Sequence, residues 1–186
     1  MNKRIVWGVT AVLCAALMVR CAVAESTQEP EETTVQAATV PEPVDMVLLS
    51  VPDGDTSFKA YMDWETITNT RSEQYAMQQQ AYTDSVGLRR YKTGEYMIAL
   101  GSYYGEVGDR FVITLDSGKT FHAVMGDLKA DRHTDASNRY TPMEDGMRNV
   151  VEFIVDVDEL PDTTRQMGDI SYDGFGGNVE RIERME

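Results

Sequence analysis

Cysteine is almost absent from this 186-residue chain, and both copies, Cys14 and Cys21, fall in the first 24 residues. Once that stretch is removed, nothing remains to form a disulfide, act as a thiol nucleophile or bind a metal through thiolate. Histidine is nearly as scarce, at two residues, His122 and His133. Positive charge is also short: 17 Lys and Arg face 31 Asp and Glu, for a formal net charge of −14. Phosphate backbones and anionic lipid surfaces repel such a chain, which excludes nucleic acid and anionic membranes as partners. Beyond residue 19 no apolar run approaches the ~20 residues that a bilayer requires. No nucleophile elbow is present and no cofactor-binding motif is read, so the expected cofactor is none.

What is present begins with an export signal. Lys3 and Arg4 lead an apolar run from Ile5 to Val19, and Ala22-Val23-Ala24 is a small-x-small cleavage site. Cleavage there makes Glu25 the first mature residue. Arg20 stands where a lipoprotein signal carries a small residue, which argues against acylation of Cys21. Retention of the signal as an anchor is the remaining alternative. Cleavage also takes Lys3, Arg4 and Arg20, so the charge becomes three units more negative, −17. The expected location is secreted and cell-wall associated, with no membrane contact beyond the signal.

Residues 25–45 hold three prolines, six acids and no aromatic residue. Such a segment buries too little apolar surface to offset its ordering entropy and reads as a disordered acidic linker. Residues 46–94 form a prelude. It opens with a short strand, Met46 to Val51, that stops at Pro52-Asp-Gly54. Thr70-Arg-Ser-Glu73 has the form of a capping box and predicts a helix reaching about Tyr82. Residues 95–186 alternate short β-rich runs with turns. The runs are Glu95 to Leu100, Arg110 to Leu115, Thr120 to Met125, Val150 to Val155 and Val179 to Ile182. Asp116-Ser-Gly118, between two alternating runs, signals a hairpin. The expected class is mainly β, a small barrel or sandwich with a short helical prelude.

The chemistry concentrates between Gly126 and Pro142. Asp127 follows a strand and a glycine, a position where a rigid scaffold presents a carboxylate to a ligand. Lys129, Asp131, Arg132, His133 and Asp135 fill the polar loop that follows, which read alone is a solvated loop capped by its own side chains. Asp131, His133 and Asp135 alternate like oxygen ligands but miss the calcium-loop spacing, and one histidine is a weak zinc signal, so no metal is expected. Glu152 interrupts the apolar strand 150–155. Alternation turns it to water; a cleft beside Asp127 would instead let two carboxylates divide acid and base roles. His122 sits in a strand pattern and reads as a core-edge residue.

Four segments in order carry a resemblance. They are Met97-Ile-Ala-Leu-Gly-Ser, Val107-Gly-Asp-Arg-Phe-Val-Ile, Ser117-Gly-Lys-Thr-Phe-His-Ala-Val-Met-Gly-Asp127 and Asn149-Val-Val-Glu-Phe-Ile-Val-Asp156. Together they resemble the double-psi β-barrel domains of bacterial wall proteins. The three-aspartate (3D) domains are nearest, and the rare lipoprotein A and expansin-like groups are more distant. The resemblance spans about Glu95 to Glu183 and implies a six-stranded double-psi barrel. Asp127 matches the family's first aspartate, Glu152 stands for the aspartate of the later strand, and Gly168 matches a glycine before the final strands. The chain departs in having Asp127-Leu-Lys without the following glycine, and in carrying glutamate at 152.

The resemblance implies a lytic transglycosylase type of peptidoglycan cleavage, with Asp127 and Glu152 as catalytic residues. Lys129, His133 and Tyr140 are the candidates for holding substrate, and Tyr103, Tyr104 and Tyr140 offer rings for sugar stacking. The alternatives are a non-catalytic domain that binds glycan or another secreted protein, and a structural domain of a surface assembly. The partner is thus a cell-wall glycan or a secreted protein. Because residues 25–44 offer nothing to a core, deleting them should leave the melting temperature of the mature protein nearly unchanged in calorimetry. A large drop would show that the linker packs on the domain.

Overall fold

The computed structural model describes residues 44–186. The expected export signal and nearly all of the expected acidic linker lie outside the described residues. In chain order the strands are β1 (Met46–Leu49), β2 (Tyr61–Asp63), β3 (Tyr82–Thr83), β4 (Arg89–Arg90), β5 (Tyr96–Leu100) and β6 (Arg110–Leu115). They continue as β7 (Thr120–Leu128), β8 (Thr141–Pro142), β9 (Arg148–Asn149), β10 (Glu152–Val155) and β11 (Val179–Met185). Two six-residue helices, α1 (Glu73–Gln78) and α2 (Asp162–Met167), accompany them.

The protein is mainly β, as its short branched and aromatic runs predict. Nine strands form one mixed sheet in the order β1-β11-β6-β7-β5-β10-β2, with β4 carrying β3 off β5. This differs from a ring of six strands: the hydrogen-bonded path is open, ending at β1 and β2. The hairpin β6–β7 turns at Asp116-Ser-Gly118, where Gly118 takes φ +86°, as its sequence predicts. Two pairs are parallel, β5 with β7 and β10 with β2. The short strands β2, β3 and β4 escape pattern reading because two or three residues show no periodicity.

Alternation sorts the side chains onto two faces. Phe111, Ile113 and Leu115 of β6 and Phe121, Ala123 and Met125 of β7 enter the main core. There Phe121, Phe153 and Phe175 meet the ring of Tyr96 edge-on, with centroids 5.1 to 5.9 Å apart. Such contacts add about 0.5–1.5 kcal/mol per pair beyond area burial. The other face carries a smaller cluster of Met97, Val124 and Ile154, covered by Met77 of α1 and by Met62 and Trp64.

A seam of side-chain bonds joins the segment before β2 to the start of β11. Thr56 Oγ1 accepts from the Val179 amide at 2.8 Å, and Asn178 Oδ1 accepts from the Thr56 amide at 2.8 Å. The fully buried Lys59 donates to the carbonyls of Gly177 and Ser57, at 2.7 and 2.9 Å. Burial pushes its pKa down to about 8.

The helical prelude exists, but its cap is shifted. Ser72, not Thr70, is the N-cap, accepting from the Tyr75 amide at 3.2 Å, and the helix ends at Gln78. Serine at 72 fits because its extended backbone leaves the hydroxyl above the first turn. In the second half of the chain, Gly168 closes α2 in the left-handed conformation.

Gly101, immediately after β5, touches the loop that follows β7. A Cβ there would lie 1.9 Å from the Asn138 carbonyl oxygen and 2.7 Å from its carbon. Backbone cannot retreat like a flexible side chain, so Gly101→Ala should cost at least about 1–3 kcal/mol. A urea titration that leaves its midpoint unmoved would contradict this close approach.

Candidate functional site

Asp127 owes its position to one extra residue. In the parallel β5–β7 ladder Ile98 pairs with Met125, but Ala99 pairs with Asp127, so Gly126 is a bulge. Met125 lies in the main core, and plain alternation would pair Asp127 with Leu100, which also lies in that core. The bulge turns Asp127 to the opposite face. Glycine suits the position because a Cβ would come within 2.8 Å of Ile154 Cδ1 and 2.9 Å of Met97 Cε. Asp127 therefore belongs to β7 itself and not to the loop beyond it.

Glu152 reaches the same face from the other side. Ala99 pairs with Asp127 on one flank and with Glu152 on the other. The two acidic residues thus stand level, two strand spacings apart, roughly 10 Å between Cα atoms. The methyl of Ala99 leaves the space between them open. Asp127, Glu152, Ala99, Lys129 and His133 are among the walls of a cavity of about 440 Å³. Alternation does turn Glu152 away from the main core, and what it faces is this cavity.

The two carboxylates have different surroundings. Burial raises the pKa of Asp127, and the nearby negative charge of Glu152 adds to the rise. Hydrogen bonds from the Leu128 amide and from Gln74 oppose it. The Gln74 amide on α1 lies 3.4 Å from Asp127 Oδ1. Glu152 instead receives a 2.8 Å charge-assisted bond from Lys129, whose side chain is only 3% exposed. Burial lowers the pKa of Lys129, and the charge and hydrogen bond of Glu152 work against that.

The remaining candidates divide. Lys129 is not on a solvated loop; it is buried beneath Glu152. His133 is exposed on the cavity wall, accepting at Nε2 from Arg132 Nε at 3.1 Å. Tyr140 is not among the walls; its half-buried ring packs on the main core beneath the Arg148 guanidinium. Tyr104 cannot stack on a ligand, being fully buried with its hydroxyl 3.4 Å from the Ser50 carbonyl. Tyr103 remains exposed, away from the cavity walls. His122 projects to solvent from β7.

The alternating loop acids hold local structure, Asp135 within the loop and Asp131 against the segment after β5. Burial tends to raise the Asp135 pKa, but bonds from Ser137, Arg139 and Tyr140 outweigh it and hold the group at about 2. Asp131 accepts from Ser102 Oγ at 2.8 Å. Among the described residues no three His, Cys, Asp or Glu side chains gather as a metal site.

The chain matches no protein-family model, no curated protein and no solved structure. The site therefore rests on its own geometry. Gln74, Ala99 and Asn149 belong to it and were not anticipated. Gln74 lies 53 positions before Asp127 in the sequence, and no local pattern links them.

The Lys129–Glu152 pair generates an asymmetric expectation. Glu152→Gln strands a buried ammonium and should cost about 3 kcal/mol at neutral pH, the low end for a broken buried pair. The folded Lys129 then binds its proton more weakly than the unfolded residue, with an ordinary pKa of 10.5. Stability of this variant should rise as pH approaches 10.5, because the unfolded chain holds more protons there. Lys129→Met should cost less, since Glu152 keeps access to the cavity. Equal losses for both variants in denaturant titrations at pH 7, with no pH dependence, would contradict this view of the pair.

Proposed function

We propose that the chain is an exported, wall-associated protein that cleaves peptidoglycan glycan strands in the manner of a lytic transglycosylase. The observation carrying this reading is the shared cavity of Asp127 and Glu152, two carboxylates held level across Ala99 in unlike environments. Such a pair suits division into acid and charge stabiliser. Half-buried Asp127, with its pKa raised, keeps a proton to higher pH and is the acid. Glu152, anchored by Lys129, is the fixed negative charge.

In the proposed reaction Asp127 gives its proton to the glycosidic oxygen as the bond from that oxygen to the anomeric carbon breaks. Glu152 stabilises the positive charge that develops at this carbon. A hydroxyl of the same sugar then bonds to the anomeric carbon and passes its proton to the Asp127 carboxylate, restoring the acid. His133, on the wall, is positioned to hold substrate. The proposed topology is a double-psi barrel. The two parallel pairs and the Thr56–Lys59 seam support it, since the seam brings the β2 side of the sheet to β11.

The test is incubation of the folded protein with purified peptidoglycan, with soluble anhydro-sugar products analysed by mass. Asp127→Asn keeps the side chain's shape but cannot act as a carboxylic acid, and should lower the rate by about 10²–10⁴. Glu152→Gln should lower it by a comparable or smaller factor. Full activity in Asp127→Asn would remove the mechanism. Saturable glycan binding by the wild type without any release would favour a binding domain.

A further inference from the structure

Asp127 faces a second cavity besides the one it shares with Glu152. This one, of about 340 Å³, is lined by Met62 and Asp127 together with Thr66, Thr68, Asn69 and Gln74 of the prelude. Met62 and Asp127 belong to the walls of both cavities. The Asp127 carboxylate therefore stands at the junction between two recesses, with Gln74 reaching it from the prelude side. Each recess lies at the small end of the ~300–1,000 Å³ typical of small-molecule pockets.

The chemistry of the second recess is uniform. Its polar side chains are hydroxyls and amides, apart from Asp127, and no Lys, Arg or His stands among its walls. Hydroxyl and amide groups both donate and accept, and so pair with neutral polyhydroxylated or acetamido groups. An anionic ligand would find no counter-charge there.

Resting on the glycan reading above, we propose that the two recesses are subsites on either side of Asp127. A neutral sugar chain then crosses the carboxylate, one part held by the prelude and the other beside Glu152. The prelude is thus part of the binding surface, and the protein acts within a chain instead of on a terminal unit.

The experiment is calorimetric titration of the wild-type protein with β-1,4-linked N-acetylglucosamine oligomers of two, four and six units. Four units should bind at least about tenfold tighter than two, because only the longer chain reaches both recesses. Thr68→Trp, at an exposed wall of the second recess, should erase that gain. Equal affinity for two and four units, or an undiminished gain in Thr68→Trp, overturns the two-sided site. If Asp127-dependent release from peptidoglycan persists in that case, only the two-sided site falls. If neither release nor oligomer binding occurs, the glycan reading falls with it.

Discussion

Gly126 sits where two residues of β7 oppose a single step of β5. Its missing side chain lets Ile154 and Met97 close over the strand from the smaller core. That packing holds the bulge, and the bulge decides the face on which Asp127 emerges. One residue fewer would aim a carboxylate at Leu100 and the phenylalanine core, where an uncompensated charge is costly. The cavity, the raised pKa of Asp127 and its approach to both recesses all follow from this one irregularity. Bulges re-aim side chains next to functional sites in this way.

The Lys129–Glu152 pair is the second constraint, and it is of a different kind. A lysine 3% exposed is held in place by one carboxylate that still opens to the cavity. Replacing such a pair by apolar residues is often neutral or stabilising, so fold stability alone does not account for it. It does keep a negative charge at a defined place opposite Asp127. Lys129 follows Leu128, which pairs with Leu100, so the ladder that places Asp127 also places the lysine. The two carboxylates come from β7 and β10, and the strand they share as a neighbour is β5.

The prelude packs its Met77, Met62 and Trp64 over Met97 and Val124, extending the smaller core. This packing brings Gln74 to Asp127 and forms the wall of the second recess. The segment read from sequence as a prelude with a short strand and one helix is in this way continuous with the site.

Much was legible from residue pattern alone. Branched and aromatic runs separated by Gly and Asp turns are local signals, so the main strands from Tyr96 onward emerged within a few residues of their bounds. Asp127 stood out because it follows a strand and a glycine, and Glu152 because it interrupts an apolar run. Their meeting was not legible, since it depends on β5 pairing with β7 in parallel and with β10 antiparallel. The bulge was hidden as well, because Gly126 reads equally as a turn after a shorter strand. Burial of Lys129 and Tyr104 was missed because both lie in stretches whose composition suggests a polar surface. Sequence alone determined the β-rich class, the charge and the scarcity of cysteine, which depend on composition and short-range periodicity. Only the tertiary structure decided which side chains share a cavity, because long-range strand register and one unpaired residue set the face each side chain takes.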